Sequence, residues 1–432
     1  MDWNELYNLG LGLFEKATAF FDEALEIKPD HEACYNQGVV LGNSGKFQEA
    51  IASYDKTLEI KPDYHLAWYN RGVALGNLGR FEEAIASYDK TLEIKPSYHE
   101  AWSARGIALG NLGRSEEEIA SYGKALEIKP DFHEAWSNRG AALGNLGRWE
   151  EAIASFDKAL EIQPSYHEAW FNRGNAMGNL GRFEEAIVSY DKALEIKPGF
   201  HEAWYDRGTT LLYLGRFEAA IASFDKALEI KQNSHEAWSN RGVALYDLGL
   251  FEEAVASYDK ALKIKPDFHE AWLNRGNPLG NLGRWEEAIA DYDKTLEIKP
   301  DFHEAWLNRG NALGNLGRWE EAIASYDKAL EIKPDSYEAW YNRGSALYHL
   351  GRLEDAIADY DKALEIQPDY HAAFYNKACC YALQSQIYQA IQNLQQAINL
   401  NPDKYREMAK TDSDFDSIRS HTRFQALIQG HN

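Results

Sequence analysis

Apolar positions recur along this chain at helical spacing, in blocks that return every 34 residues. In the block from Trp68 to Pro96, Ala67, Trp68, Gly72, Leu75 and Leu78 fall on one face of a first helix. Phe81, Ala84, Ile85, Tyr88, Leu92 and Ile94 do the same for a second. Gly79 sits between them, where a residue with positive φ ends the first helix, and Pro96 ends the second. Ser97 with Glu100 three residues later reads as a capping box for the next helix, and Asp131–Glu134 and Ser165–Glu168 repeat that signal. Each block is therefore an antiparallel helical hairpin with an apolar face that it cannot bury alone, and stacking on its neighbours buries it.

The beat is carried by Pro62, Pro96, Pro130, Pro164 and Pro198, fails at Gln232, and resumes from Pro266 to Pro402. Trp68 to Trp340 keep the same step, with Cys34 and Phe374 in place of tryptophan in the flanking units and Trp3 opening a shortened one. With Trp68 as position 4, position 8 is Gly72, position 20 Ala84, position 24 Tyr88 and position 32 Pro96. That pattern resembles the tetratricopeptide repeat (TPR), and wording such as NRGNALGNLGRWEEAIASYDKALEIKP resembles long bacterial arrays; the likeness covers residues 3 to 402. It implies an all-α, right-handed superhelical solenoid of about twelve hairpins whose first helices line a concave groove. The expected layout is a truncated N-terminal hairpin over 1–32, eleven units over 33–402, and a capping helix with tail over 403–432, the helix itself near 403–411. Position 7, usually leucine in the family, is Arg71, Arg105, Arg139 and onward; its stem is expected to cover apolar surface and its head to pair with an acid such as Asp89. A row of anion contacts is the alternative.

Within the groove that the resemblance implies, position 6 forms a row of Asn70, Asn138, Asn172, Asn240, Asn274, Asn308, Asn342 and Asn376, broken by Ala104 and Asp206. Asn175, Asn277 and Asn311, at position 9, lie one turn along the same face. A carboxamide both donates and accepts, so such a ladder suits the main chain of an extended peptide whatever its side chains. Bonding within the repeat is the competing reading. Position 12 is glycine and position 13 asparagine in many units, through tight helix packing or to clear the groove; Tyr213, Tyr246 and Tyr348 fill it instead and are candidate ligand anchors. Position 5 carries no lysine, which excludes the carboxylate clamp of chaperone-binding relatives.

Net charge is −23, and the segment after the array is neutral, so the array repels phosphate; nucleic acid and anionic membranes are not expected partners. The start lacks the pattern of a secretory leader, no apolar run reaches membrane-spanning length, and Cys34, Cys379 and Cys380 offer no metal spacing, so the expected setting is the cytoplasm. A ladder of histidines, His31 to His371, stands about 10 Å apart per hairpin, too far to share a zinc ion, and is expected to sit beside the capping glutamates. No catalytic constellation stands outside the repeat pattern and no cofactor is implied. The expected function is a non-catalytic scaffold that binds a protein or extended peptide, the alternatives being a self-assembling homo-oligomeric array or a recruiting subunit for a separate enzyme. Two deviations stand out: repeat four carries Ser115, Glu118 and Gly123, predicting a loosened unit, and Pro278 interrupts a first helix.

Overall fold

The computed structural model describes residues 30–430, together with Lys16, Ala17, Phe20, Phe21 and Glu23. The shortened hairpin expected over 1–32, Trp3 included, lies almost wholly outside the described residues. From His31 onward, 22 helices alternate between 13 and 14 residues, as in His65–Asn77 and Phe81–Ile94. No strand occurs among the described residues. The chain forms two compact units that divide between Gly215 and Arg216. The first holds five hairpins, from His31–Asn43 to Phe183–Ile196, and then helix His201–Tyr213. The second begins with Phe217–Ile230, continues through five hairpins to Ile387–Leu400, and ends in helix Pro402–Thr411, a 3-10 turn at Ser413–Phe415 and helix Thr422–Gln429. This is the all-α solenoid expected, with its C-terminal capping helix.

Nine of the described hairpins close on a contact that only glycine permits. A Cβ at Gly310 would lie 2.5 Å from the Tyr326 ring, and one at Gly72 would lie 2.6 Å from Tyr88. The same pairing of positions 8 and 24 recurs from Gly38–Tyr54 to Gly344–Tyr360, with Phe156 as the ring against Gly140. In the last repeat the ring is replaced by Leu394 and the glycine by Ala378, both fully buried. Position 20 completes the interface, where Ala84, Ala152 and Ala322 are 0% exposed. The turn between the helices is made by glycines near φ +72, as expected at Gly79, with Arg80 donating its N–H to the Leu75 carbonyl at 2.9 Å.

Neighbouring hairpins are joined by the position-7 cation. Arg105 Nε lies 2.7 Å from Asp89 of the preceding repeat, the pairing expected from the sequence, while its Nη1 donates to Ser121 of its own second helix at 2.7 Å. Arg71, Arg173, Arg241 and Arg309 make the same two bonds. Each guanidinium also lies over its own position-4 indole, at 5.7 Å for Arg71 on Trp68. Those heads are thus committed to the fold, which leaves no row of cations for anionic ligands. Arg139 keeps its bond to Ser155, but Gly123 stands where the preceding repeat would supply aspartate, so that junction lacks the inter-repeat ion pair. The tryptophan indole N–H donates back to the carbonyl of the linker proline, Trp68 to Pro62 at 2.9 Å.

Two local expectations need correcting. Ser97, Asp131 and Ser165 do not cap: the first helices begin at His99, His133 and His167, the residues before them are Tyr98, Phe132 and Tyr166, and none of these makes a side-chain cap bond. The aromatic residue takes the cap position because its ring packs on the histidine of the previous repeat, as Phe132 does edge-on against His99 at 5.2 Å. Only where serine replaces that aromatic, at Ser234 and Ser336, does a hydroxyl accept from the helix, at Ala237 and Ala339. Secondly, the helix His269–Asn281 runs its full 13 residues through Pro278, which is buried.

Gly310→Ala should lower stability by about 2 kcal/mol, read from urea unfolding followed by circular dichroism. Combined with Tyr326→Leu, the loss should fall short of the sum of the single losses by about 1 kcal/mol, as the natural Ala378–Leu394 pair implies. Strict additivity would contradict the contact.

Candidate functional site

The same set of repeat positions lines three separate cavities. In the first unit, one of about 240 Å³ is bounded by Val39, Gly42, Asn43, Phe47 and Tyr54 of one repeat and Asn70, Val73, Ala74 and Asn77 of the next. Another, of about 540 Å³, uses Asn175, Gly178, Asn179, Phe183 and Tyr190, then Asp206, Thr209, Thr210 and Tyr213. In the second unit, about 450 Å³ is enclosed by Asn311, Gly314, Asn315, Trp319 and Tyr326, then Asn342, Ser345, Ala346 and His349. The first helices supply positions 6, 9, 10, 12 and 13. The second helix adds positions 17 and 24. Helical periodicity makes this inevitable, because positions 6, 9, 10 and 13 share one face.

The asparagines do not stand as free rungs. Tyr326 donates its hydroxyl to Asn311 Oδ1 at 2.9 Å, and Asn342 of the next repeat donates Nδ2 to that same oxygen at 3.0 Å. Tyr292, Asn277 and Asn308 repeat the arrangement at 3.0 and 3.2 Å. Where position 9 is not asparagine, the donation goes to the position-5 tyrosine of the preceding repeat: Asn70 to Tyr35 at 2.9 Å and Asn376 to Tyr341 at 3.1 Å. In Asn70, Asn308 and Asn342 one N–H therefore organises the groove, leaving the carbonyl oxygen and the second N–H for a ligand, while Asn376 also reaches Tyr360 at 3.5 Å. Asn138, Asn172, Asn240 and Asn274 are half-buried at the equivalent place.

The three tyrosines fare differently. Tyr213 is 75% exposed at the edge of the 540 Å³ cavity, its ring stacked on Phe183 at 5.9 Å and 11°. Tyr246 packs on Phe251 and its hydroxyl accepts from Asn281 at 3.2 Å. Tyr348 donates its hydroxyl to Asp414 of the C-terminal turn, so it serves the cap. Near it, Tyr375 donates to Asp412 at 2.7 Å, and Cys379, Asp412 and Asp414 come within 4.8 Å of one another, a grouping that sequence spacing did not signal. Sequence reading also missed the position-17 rings. Phe47, Phe183 and Trp319 read as core but form groove wall, and His349 stacks on Trp319 at 4.2 Å and 13°. Where position 17 is tryptophan, the position-12 glycine makes room for it: a Cβ at Gly280 would lie 2.9 Å from Trp285 and one at Gly144 3.3 Å from Trp149. Position-13 asparagines close the helix end, Asn77 donating to the Val73 carbonyl at 2.9 Å.

Two acids depart from this scheme. Asp206 occupies a position-6 site and is half-buried; burial, then Glu202, pushes its pKa up to about 6. Glu118 stands in place of the position-20 alanine, with Ser115 where the ring should be. Its carboxyl takes the room beside Gly110, where a Cβ would come within 2.7 Å of it. Burial raises its pKa above the ordinary value. Helix Ser115–Ile128 still forms its full 14 residues.

Models of the tetratricopeptide repeat match residues 6–31, 40–79, 65–98, 99–132, 133–166, 167–200, 205–269, 273–337, 307–371 and 359–392. No curated protein matches the chain. Among solved structures it is similar to YrrB, described as a TPR protein with an unusual peptide-binding site, at 27% identity over 43% of this chain and 96% of that one, TM-score 0.40. A repeat protein of Parabacteroides merdae aligns at 20% identity over 58% and 98% of the two chains, TM-score 0.43. A chain of the APC/C hetero-tetramer Cut9–Hcn1 aligns at 14% identity over 98% and 94%, TM-score 0.45. At these scores the structures add nothing to the repeat-by-repeat match.

Glu118→Ala should raise stability by about 1 kcal/mol at neutral pH. The folded chain holds the Glu118 proton more tightly than the unfolded chain, so ionisation of Glu118 opposes folding. The gap between variant and wild type should therefore close as pH falls through the raised pKa toward the ordinary 4.5, and a gap that widens on acidification would contradict it.

Proposed function

Because the chain belongs to the tetratricopeptide-repeat family, we propose that it is a non-catalytic interaction scaffold whose first helices hold an extended peptide or protein segment. What supports this most is the recurrence of one cavity design at matching positions in both units, each lined by a ring, a tyrosine and carboxamide groups. Stacked helix pairs repeat about every 10 Å. A polyproline-II segment turns once in three residues and about 9.3 Å, so one side chain per turn would meet one cavity per repeat. Carboxamide oxygens and N–H groups would satisfy the ligand's main chain between those points.

The partner class follows from charge. A protein carrying −23 repels nucleic acid and anionic lipid, and attracts segments without excess acid. No helix among the described residues is long and apolar enough to cross a membrane. The three cysteines are free and buried, which suits a reducing cytoplasm. Homo-oligomerisation and service to a separate enzyme are compatible with the same surface.

A displayed library of random dodecapeptides, selected on the full chain, should yield binders that weaken at least about tenfold on Ser345→Trp or Thr209→Trp, which fill cavities. Equal substitution on an exposed second-helix site, Glu161→Trp, should leave them unchanged. Binders sensitive only to the second-helix change would overturn the groove reading.

A further inference from the structure

The row of position-6 carboxamides in the first unit ends on a carboxylate. Asp206 has acceptors and a charge where Asn70, Asn138 and Asn172 have both donors and acceptors. It faces the largest of the three groove cavities, about 540 Å³. Beside it Tyr190 donates to Asn175 Oδ1 at 2.8 Å, the oxygen that in the second unit also receives a position-6 N–H; Asp206 cannot supply that bond. The neighbouring hydroxyls are spent on the helix: Thr209 donates to the Tyr205 carbonyl at 3.1 Å and Thr210 to that of Asp206 at 2.8 Å. Asn179 donates to the Asn175 carbonyl at 2.8 Å. Arg207, the next residue, turns its Nε away to Asp191 at 2.7 Å. Among the described residues no cation pairs with Asp206.

The far wall is aromatic. Tyr213 replaces the usual position-13 asparagine, lies two helical turns from Asp206 on the same face, and stacks nearly parallel on Phe183. A half-buried carboxylate in a cavity edged by exposed Tyr213 stacked on half-buried Phe183 matches a guanidinium or ammonium group, which gains a charge-assisted bond at one end and a ring face at the other.

We propose that this cavity is the specificity subsite of the groove, taking a basic side chain, arginine above all, of the bound segment. The proposal rests on the groove reading given above and adds to it the chemistry of one ligand position. An entering cation would also relieve the charge that burial now disfavours on Asp206. Arginine suits the site better than lysine because its planar head stacks on rings and bonds a carboxylate in two places.

The test uses two pools of fluorescent dodecapeptides, random except for a central arginine in one and glutamine in the other, titrated against the full chain at physiological ionic strength. The arginine pool should bind wild type at least about tenfold more tightly than the glutamine pool. In Asp206→Asn, which installs the residue of the neighbouring repeats, that ratio should fall to within about twofold while glutamine-pool binding persists. Glu161→Gln removes an equal charge from an exposed helix and should leave the ratio intact, separating the subsite from the general attraction of a negative protein. A ratio unchanged in Asp206→Asn, or equal binding of both pools to wild type, overturns the subsite and spares the groove. Binding by neither pool overturns the groove and the subsite with it.

Discussion

Everything in this protein depends on one close approach: the ring at position 24 lying against the bare Cα at position 8. At Gly276 a Cβ would come 2.4 Å from Tyr292, and no L side chain fits there while the ring stays in place. The contact sets the separation of the two helices in a hairpin, and the flat, small-residue interface at position 20 follows from it. The last repeat shows the constraint by relaxing it. Once Leu394 takes the place of the ring, Ala378 can take the place of glycine, and the core remains closed.

The same tyrosine reaches past the core. With its ring held against the glycine, its hydroxyl emerges beside position 9, where Tyr292 and Tyr326 meet Asn277 and Asn311. The next repeat adds its position-6 amide to that oxygen. A packing requirement thus places a polar group at a fixed point in each groove cavity, and side chains at positions 6, 9 and 13 can vary without disturbing the hairpin. Repeat seven uses that freedom to present Asp206 and Tyr213. Repeat four departs at the second helix instead: with Ser115 in place of the position-17 ring, the Glu118 carboxyl occupies the vacated room beside Gly110. The position-7 arginines hold repeat to repeat outside this cavity, which is why their charges are not available to a ligand.

Features set by local backbone and period were legible in the sequence. Helix alternation, the positive-φ turn at Gly79 and the Arg105–Asp89 pair all follow from spacing and residue type. Features set by competition between partners were not. Ser97 has the chemistry of a cap, yet the helix starts at His99 and Tyr98 takes the cap position, its ring edge-on against His65 of the previous repeat. The position-6 asparagines were found, but their donation to Asn277, Asn311, Tyr35 and Tyr341 depends on the register between repeats, which no single repeat encodes. Tyr348 looked like its counterparts at 213 and 246 until the C-terminal turn brought Asp414 to it from 66 residues away. The position-17 rings read as core in the sequence because apolar periodicity does not distinguish a wall of a groove from an interior.

Side-chain amide spectra of the full chain, labelled with nitrogen-15 at asparagine, test most directly whether this tyrosine-organised groove is where a segment binds. Titration with a selected groove peptide should shift the carboxamide signals of Asn175, Asn311 and Asn342 and leave that of Asn399, on a second helix and bonded to Gln395, where it was. Shifts at Asn399 with the groove asparagines unmoved would contradict it.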